Sequence, residues 1–354
     1  MRKVVVIGTV GIPACYGGFE SLVENLTLNK NHGTKYSVFC SGKSYTDRLD
    51  EHNTAKLYYL PLKANGIQSI PYDILSMMKT WVIKPDVVLI LGVSGCVFLP
   101  IFKFFSKSKI VTNIDGLEWK REKWGRWVKR FLKFSESIAV KHSDVIVTDN
   151  QAITDYVFDE YGVKSETIAY GGDHAIPKNS AHYEAKKGNY ALGLCRIEPE
   201  NNVEMILEAY SRTTKHLKFV GNWAASEFGR KLKRTYSKYT NIELLDPIYD
   251  IEELYRLRSD CSLYLHGHSA GGTNPSLVEM MHFGVPILAF DCNFNRYSTE
   301  EKACYFKSSV DLAKLLNADS NTKELKSNGK AMREVAISRY TWEIIAHKYE
   351  GTYL

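Results

Sequence analysis

Short apolar runs alternate with longer amphipathic stretches along most of the chain. The runs "KVVVIGT", "YSVFCSG", "KLYYLPL", "DVVLILG", "KIVTNID", "DVIVTD" and "ETIAYGG" have strand length, and segments such as "YDILSMMKTWV" between them carry helical spacing. A helix is predicted from about residue 18. This alternation predicts βαβ units and parallel sheets covered on both faces. After "YGGDHAIP" the texture changes, because "KNSAHYEAKKGN" is polar, charged and without periodicity. The rhythm restarts through "YALGLCR", "HLKFVGN", "IELLDP", "CSLYLHGH" and "PILAFDC". The expected fold class is therefore α/β, with two Rossmann-like doubly wound domains and a cleft between them. Residues 1–175 form the first domain, 176–189 a linker and 190–340 the second domain, while a C-terminal helix over 341–354 is expected to pack back on the first. Open α/β sheets bind ligands outside the carboxyl ends of their strands, so the candidate chemistry belongs in the loops there.

Composition narrows the class. At 354 residues with 44% hydrophobic content the chain can fill two cores. No window approaches the roughly 18–20 apolar residues of a membrane span, and "MRKVVVIGTVG" runs into a strand instead of a signal-peptide core. A cytoplasmic location is expected. The seven cysteines include no CxxC pair and sit mostly in apolar runs (Cys40, Cys195, Cys261), which predicts buried thiols, not a disulfide framework or zinc site. The net charge of +6 is concentrated in residues 119–133, "WKREKWGRWVKRFLK".

Three loops carry candidate chemistry. In "GTVGIPACYGGFESLVENL", Gly8, Gly11, Gly17 and Gly18 crowd a strand-to-helix turn where backbone N–H groups can approach an anion; the alternative is a packing turn. The spacing is not GxGxxG, and "CSGKS" has Ser37 where a P-loop requires its first glycine. In "LCRIEPENN", Arg196 ends a strand and is suited to fork onto phosphate oxygens, or else to pair with a neighbouring Glu. In "GHSAGGTNPSLVEMM", the turn offers a nest of N–H donors, Pro275 fits the first helical position, and Asn274 or Thr273 fits the cap. Glu279 lies about one turn in, roughly 6 Å along the axis, an offset that suits a ribose whose diphosphate occupies the nest. Its alternative is a first-turn carboxylate favouring the helix dipole.

Asp115 in "NIDGLEW" ends a strand, where it can orient a reacting group or cap the next helix. His266 and His268 would share a face of one strand; His268 is the one expected to face a donor, and a structural role is open for either. Trp124, Trp127, Phe131, Phe134 and Ile138 recur at steps of three and four, whereas Lys123, Arg126, Lys129, Arg130 and Lys133 mostly occupy other angles. Such a stripe either lies on an anionic membrane or packs on the domain's own sheet. No nucleic-acid-reading module accompanies the basic segment, and a pI near 8.7 is modest, so nucleic acid is not an expected partner.

Together "GIPACYGGFE", "NIDGLEWKR", "RIEPENN" and "HSAGGTNPSLVEMM" resemble motifs of bacterial GT-B retaining glycosyltransferases of family 4, and most of all the branch with β-1,4-L-rhamnosyltransferases of polysaccharide assembly. The resemblance implies that Arg196 contacts the donor diphosphate, that Gly271, Gly272 and Thr273 supply amides with Asn274 beside them, and that Glu279 holds the ribose. It implies further that Gly17 and Gly18 close over the phosphates and that Asp115 lies near the transferred sugar. Two positions depart from the broad family: Asn201 stands where many members carry Lys, and Gly271 where the first of two paired glutamates would be. Both match the rhamnosyl branch and alter the contacts to donor sugar hydroxyls; Asn201 is accordingly counted with the donor-binding residues.

The implied activity is transfer of L-rhamnose from dTDP-β-L-rhamnose, with retention, onto a polyprenyl-diphosphate-linked saccharide at the inner face of the membrane. Trp124, Trp127, Lys129, Arg130 and Lys133 would meet the lipid or the acceptor, and Asp115, Arg196 and His268 would stand at the reacting centre. No DxD motif occurs, so no metal or other cofactor is expected, and Arg196 with the Pro275 helix end would neutralise the phosphate. The competing readings are a sugar-nucleotide 2-epimerase and a non-catalytic sugar-nucleotide-binding scaffold.

Overall fold

A computed structural model describes residues 1–15, 17–114, 116–120, 124–177, 180, 183–186, 188–317 and 323–354. The chain divides into two compact units, Met1–Ala169 with Trp342–Leu354, and Tyr170–Thr341. The division falls ahead of the boundary expected at 175, and the described part of 176–189 belongs to the second unit and not to a separate linker. Hydrogen bonds explain this: Tyr183 OH and the Lys186 amide both donate to Asp260, each at 2.8 Å.

The first unit runs β1 (Arg2–Ile7), α1 (Gly18–Leu28), β2 (Thr34–Ser41), β3 (Glu51–His52), β4 (Ala55–Leu60), α2 (Ser69–Ile83), β5 (Val87–Leu91), α3 (Leu99–Phe105), β6 (Lys109–Ile114), α4 (Arg126–His142), β7 (Val145–Thr148), α5 (Gln151–Tyr161) and β8 (Glu166–Thr167). Its sheet has the order β3-β4-β2-β1-β5-β6-β7-β8, parallel except for the β3–β4 pair. Val4 to Ile7 and Val87 to Leu91 are buried without interruption, as strands covered on both faces must be. The short β3 edge carries no apolar run and has no signature in the sequence, while the run "ETIAYGG" yields only the two residues of β8, at the opposite edge.

In the second unit the order is β9 (Tyr190–Leu194), α6 (Val203–Ser211), β10 (His216–Val220), α7 (Glu227–Tyr236), β11 (Ile242–Leu245), α8 (Ile251–Asp260), β12 (Leu263–His266), α9 (Pro275–Met281), β13 (Ile287–Phe290), α10 (Asn293–Ser298), β14 (Cys304–Phe306), α11 (Ser309–Asn317) and α12 (Lys323–Arg339). The sheet order β11-β10-β9-β12-β13-β14 is wholly parallel. The chain winds outward from β9 through β10 to β11, then returns to β12 and winds the other way. This reversal makes β9 and β12 the switch point, where an open α/β sheet leaves a crevice. Helix α13 (Trp342–Thr352) belongs to the first unit, where the Asn113 side chain donates to Tyr349 OH at 2.6 Å and Tyr36 OH meets Tyr353 OH at 3.2 Å.

One buried carboxyl in the first unit sets a pH dependence. Asp73 of α2 accepts from Ser94 Oγ, while its Oδ1 has no hydrogen-bond partner among the described residues. Burial pushes its pKa from 3.8 up to about 7, against the opposing bonds from Ser94 and the Gly95 backbone. Between those values the folded chain holds a proton that the unfolded chain has released, so stability falls as pH rises across the window, by up to about 4 kcal/mol. Asp73→Asn removes this dependence. The variant is expected to gain Tm relative to the parent between pH 4 and pH 8, and a difference that stays constant over that range would show that Asp73 is ionised in the fold.

Candidate functional site

At the switch point of the second unit, the loops that leave β9 and β12 are bonded to each other. The Ser269 amide and Oγ both donate to the Glu200 carbonyl, at 3.0 and 2.8 Å, and the Asn202 side-chain amide donates to the Gly267 carbonyl at 2.9 Å. The first loop carries Arg196 and the second carries Gly271 to Asn274, so two stretches far apart in sequence are tied into one rim.

Arg196 is exposed, and its guanidinium lies 3.6 Å from the Glu198 carboxylate. The ion pair expected as the alternative is thus present, but both partners keep substantial solvent access and such pairs hold about 0–1 kcal/mol. An incoming phosphate can compete for the guanidinium. Asn201 requires a correction. It is buried, and its side-chain amide donates to the Arg196 carbonyl at 2.7 Å, so it shapes the arginine loop from beneath instead of reaching a ligand. The chain continues through Asn202, left-handed at φ 49°, into α6.

In the second loop Gly271 has φ 110°, which a side chain resists, and a Cβ added there would meet open space. Glycine is therefore set by the backbone turn and not by crowding. Asn274 caps α9 by accepting from the Ser276 amide at 3.0 Å, and Pro275 occupies the first turn, where its missing N–H costs nothing. Thr273 is buried. Asn295 steadies the loop, donating to the carbonyls of His268 and Phe290 at 2.9 and 2.8 Å.

Glu279 is mostly buried and doubly engaged. Its Oε2 accepts from Arg258 Nη2, and its Oε1 lies 3.3 Å from His174 Nε2. Burial opposes ionisation, yet the Arg258 guanidinium and His174 outweigh it and hold the carboxyl below its ordinary value. The group is thus an ionised acceptor with fixed orientation, and the plain helix-dipole alternative does not describe it. Neither partner is evident from the sequence. Arg258 is the buried residue of α8, four positions after Leu254, which is the one signal that it faces inward. His174 arrives because Gly172 touches the backbone of α9: a Cβ there would stand 2.6 Å from Val278 carbonyl atoms.

His266 is buried at the end of β12, and burial drives its pKa well below the usual value, with His268 adding to the shift. It is a neutral ring. His268 stacks on it with centroids 4.5 Å apart and planes at 14°, and keeps partial solvent access.

In the first unit, Gly17 has φ 91° and α1 begins at Gly18; a side chain at 17 would also collide with the Glu20 carboxylate at 2.6 Å. Buried Glu20 accepts from Thr9 Oγ1 and the Val10 amide at 2.8 and 2.7 Å, which ties the glycine loop to the helix. Asp115 lies outside the described residues, as do residues 121–123 of the basic stretch. That stretch is not one continuous helix. Trp124 precedes α4 and donates to Glu118 at 3.0 Å. The buried face of α4 is Leu132, Ser135, Glu136, Ala139 and Val140, whereas Trp127 is 78% exposed and Phe134 is exposed as well. Trp127 and Phe134 of the stripe therefore face solvent, while Trp124, Phe131 and Ile138 are half-buried. Lys133 turns the other way, into a cage of Trp119, Tyr156 and Tyr161 at 4.9, 4.7 and 4.8 Å, with Glu160 at 2.9 Å. It is taken out of the membrane set because its charge is spent inside the unit.

Among the described residues no group of three or more His, Cys, Asp or Glu is placed to hold a metal ion, and no helix is long and apolar enough to cross a membrane. A family model described as a domain of unknown function (DUF1972) matches residues 1–173. No curated protein matches the sequence. Among solved structures, sucrose-phosphate synthase from Thermosynechococcus elongatus is 15% identical with a TM-score of 0.79, covering 100% of this chain and 98% of its own. HepE of Anabaena, in complex with UDP, is 14% identical with a TM-score of 0.75 and 99% coverage of both chains. The α,α-trehalose 6-phosphate synthase of Burkholderia multivorans is 11% identical with a TM-score of 0.71, covering 99% and 96%. These neighbours are GT-B glycosyltransferases, and at such identities the likeness is one of fold: this chain has the GT-B fold of two Rossmann-like domains.

Proposed function

We propose that the protein is a retaining glycosyltransferase that binds a nucleotide sugar on its second unit. The observation that carries the reading is the bonded pair of switch-point loops, which brings Arg196 and the Gly271–Asn274 turn to one rim with the oriented carboxylate of Glu279 one helical turn beyond. The UDP and UDP-glucose complexes of the structurally similar HepE support a nucleotide sugar as the ligand. In this reading Arg196 and the amides of Gly271, Gly272 and Thr273 hold the diphosphate, and Glu279 accepts from the ribose hydroxyls. The motif resemblance assigns His268 and Asp115 to the transferred sugar.

Transfer breaks the bond between the anomeric carbon and the phosphate oxygen and forms one from that carbon to the acceptor oxygen. Negative charge grows on the departing phosphate, where fixed donors stabilise it most. With attack on the same face, the departing phosphate oxygen takes the acceptor's hydroxyl proton, so no protein nucleophile is required. The sequence motifs favour dTDP-β-L-rhamnose as donor and a lipid-linked saccharide as acceptor, and the exposed Trp127 and Phe134 of α4 support an acceptor held at a membrane surface.

The test is transfer from a panel of sugar nucleotides into membrane lipid, with and without EDTA, followed by NMR of the product. Rhamnose transferred with retention, at a rate indifferent to EDTA, is expected. An epimerised sugar nucleotide formed without acceptor, donor binding without transfer, or a rate abolished by EDTA and restored by a divalent cation would each overturn the corresponding part.

A further inference from the structure

Three consecutive helices of the first unit, α2, α3 and α4, pack in sequence, α2 on α3 and α3 on α4. Each turns an apolar stripe outward. On α2 Met78 and Val82 are exposed, Val82 at 86%; on α3 Ile101, Phe104 and Phe105 are exposed, Phe104 at 83%; and Trp127 and Phe134 continue the pattern on α4. The stripes of α2 and α3 are joined through Trp81, which stacks on Phe102 with centroids 6.0 Å apart and meets Phe105 edge-on at 5.7 Å. Phe104 and Phe105 are themselves in edge contact at 4.9 Å. Apolar side chains exposed together on adjoining helices mark an interaction surface more often than singly scattered ones do.

The surrounding charge selects the occupant. Lys79, Lys84 and Lys107 are exposed around these stripes, and the α4 end adds Arg126 and Arg130. The single acidic residue within α2 and α3 is Asp73, and it is buried; beyond the helix ends Asp86 is exposed and accepts from the Lys3 amide, and Asp144 pairs with Lys103 of α3 at 2.7 Å, so the rim keeps an excess of positive charge. An apolar centre with a basic rim suits an anionic lipid surface, into which phenyl and indole rings insert while ammonium groups meet phosphates. A second copy of this chain would bring one basic rim against another and be repelled.

We infer that the α2–α3 face, extended by Trp127 and Phe134 of α4, is a docking surface for an anionic bilayer. The inference deepens the lipid-linked-acceptor reading, on which it rests, by naming the surface that brings this unit to its substrate, and Phe104 and Phe105 are its inserting side chains.

The experiment floats the full chain with vesicles of phosphatidylcholine alone and with phosphatidylglycerol added, while calorimetry follows donor-nucleotide binding and a soluble acceptor follows transfer. The parent is expected to bind the anionic vesicles alone. Phe104→Ser/Phe105→Ser should weaken that binding about tenfold or more, given the apolar area of two phenyl rings, with unchanged donor affinity and a Tm lowered only by the loss of the Phe105–Trp81 edge contact. Lys129→Glu/Arg130→Glu reports the α4 end separately. A parent that does not float, a Phe104/Phe105 variant that floats like the parent, or a parent dimer that the same variant converts to monomers would overturn the inference. Any of these with nucleotide binding and soluble transfer intact leaves the glycosyltransferase reading standing; flotation without nucleotide binding does the reverse.

Discussion

Replacing Arg196 with alanine is expected to lower kcat by about two to three orders of magnitude, the effect of removing one fixed donor from a developing oxyanion, while Tm stays at the parent value. The two halves of this expectation have separate causes. Stability is untouched because the guanidinium is exposed and its ion pair with Glu198, at 3.6 Å, is a surface contact holding about 1 kcal/mol or less. The arginine loop is also held independently, by the Asn201 amide on the Arg196 carbonyl and by Ser269 on Glu200, neither of which uses the arginine side chain. Turnover suffers because the proposed phosphate charge loses its guanidinium. Steady-state kinetics beside a melting curve check both halves. Full activity would remove Arg196 from the site, and a large fall in Tm would mean that the side chain has a structural partner after all. Arg196→Lys separates charge from geometry: an ammonium restores the charge but not the two-pronged fork, so partial recovery is expected.

Arg258→Met is expected to lower stability by about 3–5 kcal/mol, because it strips a mostly buried carboxylate of its guanidinium. For a unit the size of Tyr170–Thr341 that is a fall in Tm of roughly 6–20 °C. Arg258 has no catalytic surface of its own: its side chain is 6% exposed and its Nε has no hydrogen-bond partner among the described residues. What it does is hold Glu279 ionised and pointed. The double variant Arg258→Met/Glu279→Met removes both charges and should recover much of the lost Tm, since two apolar side chains of similar size suit the site better than one unpaired ion. Donor affinity should not recover, because the proposed ribose acceptor is gone. Calorimetry of the two variants distinguishes a structural ion pair from a binding one. A double variant that binds donor like the parent would remove Glu279 from the ribose.

How far the site is legible in the sequence differs residue by residue. Gly271 is visible because a turn at φ 110° leaves few alternatives to glycine, and Pro275 with Asn274 because a helix start has its own local chemistry. Asn201 misleads for a reason of the same scale: its side chain folds back five positions to the Arg196 carbonyl, a contact that no periodicity reports. Lys133 falls among the basic positions of α4 in any projection, yet Trp119 precedes it and Tyr156 and Tyr161 come after it in other elements. Only their packing decides that its ammonium is enclosed. The exposed stripes of α2 and α3 are equally hidden, since an apolar stripe reads the same whether it faces a sheet or solvent.

The sequence by itself determined the βα alternation, two parallel sheets and the strand ends where chemistry belongs, because these arise from local periodicity and from backbone angles that few residues tolerate. Tertiary structure alone decided that Arg258 and His174 meet at Glu279 and that Trp127 turns outward while Lys133 turns inward. A helical position fixes the side of the helix a residue occupies, but the atom it meets there is set by how separately formed helices and loops pack.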